Sequence, residues 1–299
     1  MPHRLFPVLL VFLVSVFTHF SRSEKLPVRE ERLGAGDVTL FVRTVGDPGR
    51  SPVLLALNGG PGQSSHYLQS LEALAGPDLA VVTFDQRGCG RSTEGTGGYG
   101  FDRYVADIDA IRRSLGRDKV LLFGHSFGGV LALRYSSRHP ERVSKIILMG
   151  SGPPALELIA SAQMRLGQRI QQLSEKGILS GNPPQTPRDA ILFMLPAYFS
   201  DPGFPIPREI RATSIHPEVN RRTLSDSGDW DFRPDLKKIT CPVLFLWGED
   251  DPFGTGMADQ TREALVNAAL TEVIIEDCGH FWQENPGPFF TAIRDFLRR

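Results

Sequence analysis

Short apolar runs alternate with amphipathic helical patterns along most of this 299-residue chain. Several of the runs are apolar on both faces, which is typical of strands inside a parallel sheet. The predicted strands are 37–45, 52–57, 79–84, 119–123, 143–149, 243–247 and 271–276. Helical periodicity between and after them predicts helices at 104–115, 127–138, 256–269 and 286–297. This alternation predicts a doubly wound, mostly parallel α/β sheet.

The alternation stops between residues 153 and 234, where prolines are frequent. Helical periodicity is still present there, at 155–176 and 188–199. A set of helices inserted between two sheet strands predicts a lid over the edge of the sheet, rather than a linker between domains. We therefore expect one α/β core, residues 24–152 and 235–299, with a helical lid at 153–234.

The N-terminus has the layout of a secretory signal. A basic residue, Arg4, precedes an apolar run of 13 residues at 5–17, and small serines follow near a cleavage position before Glu24. The run is short for a bilayer span, which needs about 20 residues. The prediction is a signal peptide at 1–23 and a secreted or periplasmic protein, the alternative being a membrane anchor formed by residues 5–17.

Composition excludes some partners. The chain carries 33 basic and 34 acidic residues, so it lacks the positive charge that nucleic-acid binding needs. Its three cysteines are an odd number for an exported protein, so at least one is unpaired within the monomer. No His/Cys spacing indicates a metal site, and we expect neither a metal nor an organic cofactor.

A Gly-x-Ser-x-Gly motif, Gly124–Gly128, directly follows the predicted strand 119–123 and precedes a predicted helix. At such a turn the serine hydroxyl projects from the carboxyl edge of the sheet, while the helix N-terminus favours a developing oxyanion. The motif alone is weak evidence, but its context predicts Ser126 as a nucleophile rather than a capping residue.

A serine nucleophile needs a base and an orienting carboxylate, which in this arrangement follow in the order Ser, Asp, His. His280 follows the predicted strand 271–276 and is the predicted base. Asp251, three residues after Gly248, is the predicted acid, with Asp250 as the alternative. The other histidines after residue 100 are expected to be surface or packing residues: His125, His139 and His216.

The second part of an oxyanion hole comes from an early strand-to-helix loop. Asn58–Gly62 follows the predicted strand 52–57 and is rich in glycine, which lets backbone amides approach a substrate closely. The predicted donors are the amides of Gly60 and Phe127.

Taken in order, these segments resemble the α/β-hydrolases, and most closely the proline iminopeptidase and tricorn-interacting aminopeptidase branch. The branch-specific segments are Asn58-Gly-Gly-Pro-Gly62 and Asp85-Gln-Arg-Gly-Cys-Gly-Arg-Ser92. The resemblance implies the α/β-hydrolase fold, removal of an N-terminal residue from short peptides, and a turn-shaping rather than catalytic role for Asp85.

Two features depart from that branch. Asn58 stands where a histidine is usual. Gly-His-Ser-Phe-Gly stands where that branch usually has Gly-Gly-Ser-Trp-Gly, and the form in this chain is common in esterases and carbon–carbon bond hydrolases of the superfamily. The branch also binds the free substrate amine with lid carboxylates. The predicted lid offers eight candidates, each of which is individually expected to be a solvated surface acid: Glu157, Glu175, Asp201, Glu209, Glu218, Asp226, Asp229 and Asp231.

The predicted function is a serine hydrolase working through an acyl-enzyme, and specifically an exported aminopeptidase of proline iminopeptidase type. A carboxylesterase or other small-molecule hydrolase is the first alternative. A ligand-binding protein that keeps the fold without catalysis is the second. The expected partner is a small-molecule or short-peptide substrate.

Overall fold

The computed structural model describes residues 25–180 and 184–299. The predicted signal peptide, residues 1–23, lies outside this part of the chain. Within the described ranges, no helix is both long and apolar enough to cross a bilayer.

Eight strands form one sheet in the order β1-β2-β4-β3-β5-β6-β7-β8. The β1–β2 and β2–β4 pairs are antiparallel, and every other neighbouring pair is parallel. The strands are β1 (Val28–Ala35), β2 (Val38–Val45), β3 (Val53–Leu57), β4 (Ala80–Phe84), β5 (Val120–His125), β6 (Val143–Met149), β7 (Val243–Gly248) and β8 (Leu270–Ile275). The predicted mostly parallel α/β sheet is thus confirmed.

The described helices include nine α-helices and four short 3₁₀ helices. The α-helices are α1 (Phe101–Ser114), α2 (Phe127–Arg138), α3 (Ile159–Glu175), α4 (Pro187–Met194), α5 (Arg208–Ala212), α6 (Pro217–Ser227), α7 (Arg233–Leu236), α8 (Gly256–Ala264) and α9 (Pro286–Arg298). The 3₁₀ helices are His66–Leu74, Pro140–Arg142, Leu156–Leu158 and Leu195–Tyr198.

The core lies on both faces of the sheet because side chains along a strand alternate in direction. In β3, Leu55 and Leu57 pack on the face covered by α1 and α2. Leu54 and Ala56 pack on the opposite face, with the first 3₁₀ helix and α9. Each fully buried aliphatic side chain contributes about 1.5–3 kcal/mol of transfer free energy. Burial on both faces therefore explains the unbroken apolar pattern of the central strands.

The predicted insertion, residues 153–234, follows β6 and contributes α3 to α6 and the start of α7. Its two ends lie side by side. The amide of Leu156 donates to the carbonyl of Trp230, and the amide of Phe232 donates to that of Pro154, both at 2.9 Å. The insertion therefore starts and returns at one point of the sheet edge.

One predicted helix end was wrong, and one strand was not predicted. The sequence pattern extended the helix after β7 to residue 269, but α8 ends at Ala264 and Leu265 leaves helical geometry. Strand β1 was not predicted, because it is an edge strand whose mostly exposed residues carry charges instead of an apolar alternation.

Candidate active site

The turn between β5 and α2 holds Ser126 in a strained conformation. Its φ of 55° and ψ of −122° are rare for a residue with a side chain. Two glycines make the turn possible. A Cβ on Gly124 would lie 2.6 Å from the carbonyl oxygen of Gly128, and one on Gly128 would lie 2.1 Å from that of Leu57. The turn places Ser126 at the carboxyl edge of the sheet, where it is half-buried.

His280 and Asp251 meet at the same edge. The Nδ1 of His280 lies 2.7 Å from Oδ2 of Asp251, and both side chains are buried. The amide of Phe253 donates to the other oxygen of Asp251 at 3.0 Å, which fixes the carboxylate. With Nδ1–H donating to Asp251, the Nε2 of His280 is free to accept a proton.

Asp250 has a different environment. It is exposed, and its Oδ2 accepts a hydrogen bond from the Ser200 hydroxyl at 2.5 Å. Of the two adjacent carboxylates, the structure brings Asp251 to His280 and points Asp250 toward the insertion.

The glycine-rich loop after β3 faces Ser126. The amide of Gly59 donates to the hydroxyl of Tyr67 at 2.5 Å, so it is already committed. Gly60, with φ of +126°, lines both cavities that contain Ser126. Phe127 is the first residue of α2, where amides have no partner within the helix. The two predicted oxyanion donors therefore flank Ser126.

Polar side chains behind the loop hold its shape. The side-chain Nδ2 of Asn58 donates to the backbone carbonyls of Gly59 at 3.0 Å and Gln63 at 2.8 Å. Asp85 accepts hydrogen bonds from the backbone and hydroxyl of Ser65, both at 2.8 Å, and from the amide of Arg91 at 2.9 Å. The expectation that Asp85 shapes a turn beside the site is confirmed.

Two adjoining cavities, of about 260 and 110 Å³, open beside Ser126. His280 lines the smaller one. Tyr198 and Phe253 line both, and Gln163 and Asn220 line the larger. The apolar side chains around the larger cavity are Phe127, Val130, Ile159, Ala162, Leu166, Leu224, Trp230 and Met257.

Sequence reasoning missed Tyr198 and Trp230. Tyr198 accepts a hydrogen bond from the amide of His280 through its carbonyl at 2.7 Å, and burial raises the pKa of its hydroxyl to about 12. Both residues lie in the insertion, where no motif marks a residue that faces the site.

Among residues 25–180 and 184–299, no aspartate or glutamate lines either cavity. Glu157 and Asp231 pair with Arg233, and Glu218 pairs with Arg221. The remaining acids of the insertion are also absent from the cavity walls: Glu175, Asp201, Glu209, Asp226 and Asp229. Three of them, Glu175, Asp201 and Asp226, accept hydrogen bonds from groups outside the cavities. The structure therefore brings none of the eight candidate amine-binding acids to the cavity walls.

The remaining histidines differ in environment. His139 lies at the end of α2, and the Nε2 of His216 accepts from the amide of Gly90 at 3.0 Å. His125 is fully buried against His280, with 4.6 Å between the ring centroids. The expectation of a packing role for His125 is therefore incomplete, because both of its nitrogens make hydrogen bonds.

Comparison with known families matches residues 52–286 to the alpha/beta hydrolase fold. The match covers most of the chain, and this protein belongs to the α/β-hydrolase family.

Within that family the chain is similar to proline iminopeptidases. It is 36% identical over 287 residues to the proline iminopeptidase of Lactobacillus helveticus, covering 86% of this chain and 93% of the relative. It is 26% identical over 286 residues to that of Saccharolobus solfataricus, covering 87% and 89%. The crystal structure of the Mycobacterium smegmatis proline iminopeptidase superposes with a TM-score of 0.69 at 20% identity, covering 90% and 98%.

Proposed function

We propose that this protein is a serine hydrolase that works through an acyl-enzyme. The observation that carries the proposal is the 2.7 Å hydrogen bond between His280 and Asp251 at the wall of a cavity that also contains Ser126. Nε2 of His280 takes the proton of the Ser126 hydroxyl as the oxygen attacks a carbonyl carbon. His280 then gives this proton to the leaving group, which leaves an acyl-enzyme on Ser126. Water attacks the acyl carbon in the same way, with His280 taking its proton and returning it to the Ser126 oxygen as the acid is released.

The oxyanion of each tetrahedral intermediate would be bound by the amides of Gly60 and Phe127. One such donor typically contributes about 3 kcal/mol to transition-state stabilisation. Asp251 would hold the imidazole tautomer and stabilise the imidazolium that forms during attack.

For the substrate, the leading proposal is a short peptide or amino-acid amide, cleaved by an aminopeptidase of proline iminopeptidase type. The names of the relatives and the loop segments at Asn58–Gly62 and Asp85–Ser92 support it. The insertion at 153–234 would act as the lid, since its residues line the cavity beside Ser126.

A carboxylesterase is the second candidate, and one observation favours it. The cavities beside Ser126 are mostly apolar, and the described chain places no carboxylate in their walls to pair with a substrate amine. A buried ammonium without a partner is costly, so such a cavity suits an uncharged acyl group.

Matched substrates separate the two candidates. An aminopeptidase cleaves prolyl- or alanyl-arylamides only when the amine is free, whereas N-acetylation abolishes turnover. A carboxylesterase cleaves short-chain p-nitrophenyl esters much faster than any aminoacyl arylamide. Equal rates on free and N-blocked arylamides would contradict the aminopeptidase proposal.

The non-catalytic alternative is tested by covalent labelling. A fluorophosphonate should label the wild-type protein at Ser126 and leave the Ser126→Ala variant unlabelled. An unlabelled wild type would favour a ligand-binding protein.

Export is a separate part of the proposal. It rests on the apolar run at 5–17, and N-terminal sequencing of the mature protein should begin near Glu24. A mature chain that keeps residues 5–17 in a membrane fraction would support the anchored alternative.

A further inference from the structure

A continuous chain of buried hydrogen bonds runs beneath the proposed catalytic groups. The amide of Gly59 contacts Oη of Tyr67 at 2.5 Å, and that oxygen lies 2.8 Å from Nδ1 of His125. The Nε2 of His125 then lies 2.9 Å from the carbonyl oxygen of His280. The four residues are buried and belong to the loops or strand ends of β3, β5 and β8, apart from Tyr67 in the first 3₁₀ helix.

When His125 is neutral, the donor and the acceptor of each bond in this series are fixed. The Gly59 amide can only donate, so Tyr67 accepts there and its hydroxyl hydrogen goes to Nδ1 of His125. The His280 carbonyl can only accept, so Nε2 of His125 must carry a hydrogen. A neutral His125 is therefore restricted to the Nε2–H tautomer.

We propose that Tyr67 and His125 are positioning residues that lock the oxyanion loop, the Ser126 turn and the backbone of His280 into one geometry. The inference rests on the proposed acyl transfer, in which those three elements supply the donors, the nucleophile and the base. The close approach of the loop supports it, since a Cβ on Gly59 would lie 2.9 Å from Cβ of Ser126 and 3.2 Å from Oη of Tyr67.

The arrangement also keeps a second positive charge away from His280. Among the described residues, Tyr67 and His280 are the titratable groups against the His125 ring, and Phe281 and Trp282 also contact it. A protonated His125 would lose the hydrogen bond from Tyr67 and would repel the imidazolium that forms on His280 during attack. Burial, and then the charge of His280, lowers the pKa of His125 well below its usual value.

The test compares Tyr67→Phe with Tyr135→Phe. Tyr135 is equally buried and donates to Asp109 at 2.9 Å, so its variant also removes a buried, hydrogen-bonded tyrosine hydroxyl, but away from Tyr67 and His125. Tyr67→Phe should lower kcat about 10-fold with KM changed less than about 2-fold, because misplaced catalytic groups slow the chemical step rather than binding. In Tyr67→Phe, kcat/KM should also begin to fall at a higher pH than in the wild type, because a His125 without the hydrogen bond from Tyr67 protonates more readily and then opposes the imidazolium on His280.

Equal kcat and equal pH profiles for the two variants would overturn the proposal. His125→Gln provides a second variant, since its amide can still donate to the His280 carbonyl. It should keep more activity than His125→Leu, and the reverse order would also overturn the proposal.

A measurement on the wild-type protein does not depend on any variant folding. Nitrogen-15 NMR of histidine-labelled protein should show His125 as the neutral Nε2–H tautomer from pH 8 down to pH 5.5. A protonated or Nδ1–H His125 in that range would contradict the inference. Failure of the proposed hydrolase function is distinct, because it would appear as a wild type without turnover or fluorophosphonate labelling.

Discussion

Asp250 and Asp251 are adjacent in sequence but have unlike surroundings. Asp251 is buried beside His280, whereas Asp250 is exposed and bonded to Ser200. Asp251→Asn should lower kcat by about 10⁴-fold, because the amide would stabilise the wrong imidazole tautomer. The matched Asp250→Asn variant should stay within a few-fold of wild type in the same assay. If Asp250→Asn were the damaging change, the proposed assignment would be reversed.

His125 should make the folding stability depend on pH. Its pKa is depressed in the folded protein, so the unfolded chain binds more protons below about pH 6.5. The stability that the neutral His125 contributes is present above pH 6.5 and is lost as the pH falls toward the folded pKa. Over that range the free energy of unfolding falls by up to about 1.4 kcal/mol per pH unit.

Urea denaturation at pH 7.5, 6.5 and 5.5 should therefore show a steeper loss of stability for wild type than for His125→Gln. Burial also lowers the pKa of His139, but this effect is the same in both proteins. The difference between their pH profiles therefore reports on His125 alone. Parallel pH profiles for the two proteins would contradict the expected linkage.

The turn from β5 into α2 requires glycine because the neighbouring backbone leaves no room for a side chain, not because the turn needs a flexible backbone. A Cβ on Gly128 would meet the carbonyl oxygens of Leu57 at 2.1 Å and Asn58 at 2.8 Å. Gly128→Ala should therefore cost about 1–3 kcal/mol or more, the usual range for overpacking, and should displace the loop that holds Gly60.

Gly167 is the matched control, since it lies in the middle of α3, where a Cβ would meet no described atom outside its own helix within 4 Å. Gly167→Ala should stabilise the protein by about 0.5–1 kcal/mol through helix propensity. Thermal denaturation of both variants tests the pair, and destabilisation by Gly167→Ala would contradict the open surface at that position.

The central strands and the helices between them were predictable because each is specified locally. The strand pattern located β3 to β8 within two residues of their ends, since apolar runs bounded by turn residues mark buried strands. The insertion was harder to predict. Pro196 follows α4, and the chain continues there as a 3₁₀ helix that no periodicity distinguishes from the helix predicted at 188–199.

At the scale of the whole molecule, one buried ion pair ties the segment after β4 to α1. Arg87 contacts both oxygens of Asp107 at 2.8 Å and the carbonyl of Gly98 at 2.9 Å. Arg87→Met would leave the Asp107 carboxylate buried without its partner, which should cost about 3–5 kcal/mol.

The control for that change is Arg221→Met, which removes an exposed pair with Glu218. Its denaturation midpoint should be nearly that of wild type, because solvent screens exposed pairs. A small effect of Arg87→Met together with a normal fold would mean that Asp107 takes up a proton or finds water when its partner is absent.

The sequence by itself determined strands β2 to β8, the strand ends that carry Ser126, Asp251 and His280, and the glycine loop at Gly60. These follow from local patterns, since parallel strands deliver their carboxyl ends to one edge. The sequence also predicted Asp251 as the acid, with Asp250 as the alternative, and only the tertiary structure showed that Asp251 meets His280 and that His125 joins three loops. The tertiary structure also decided that the acids of the insertion lie away from the cavity. Those outcomes depend on which side chains meet across long separations in the chain, and packing, not local pattern, selects such contacts.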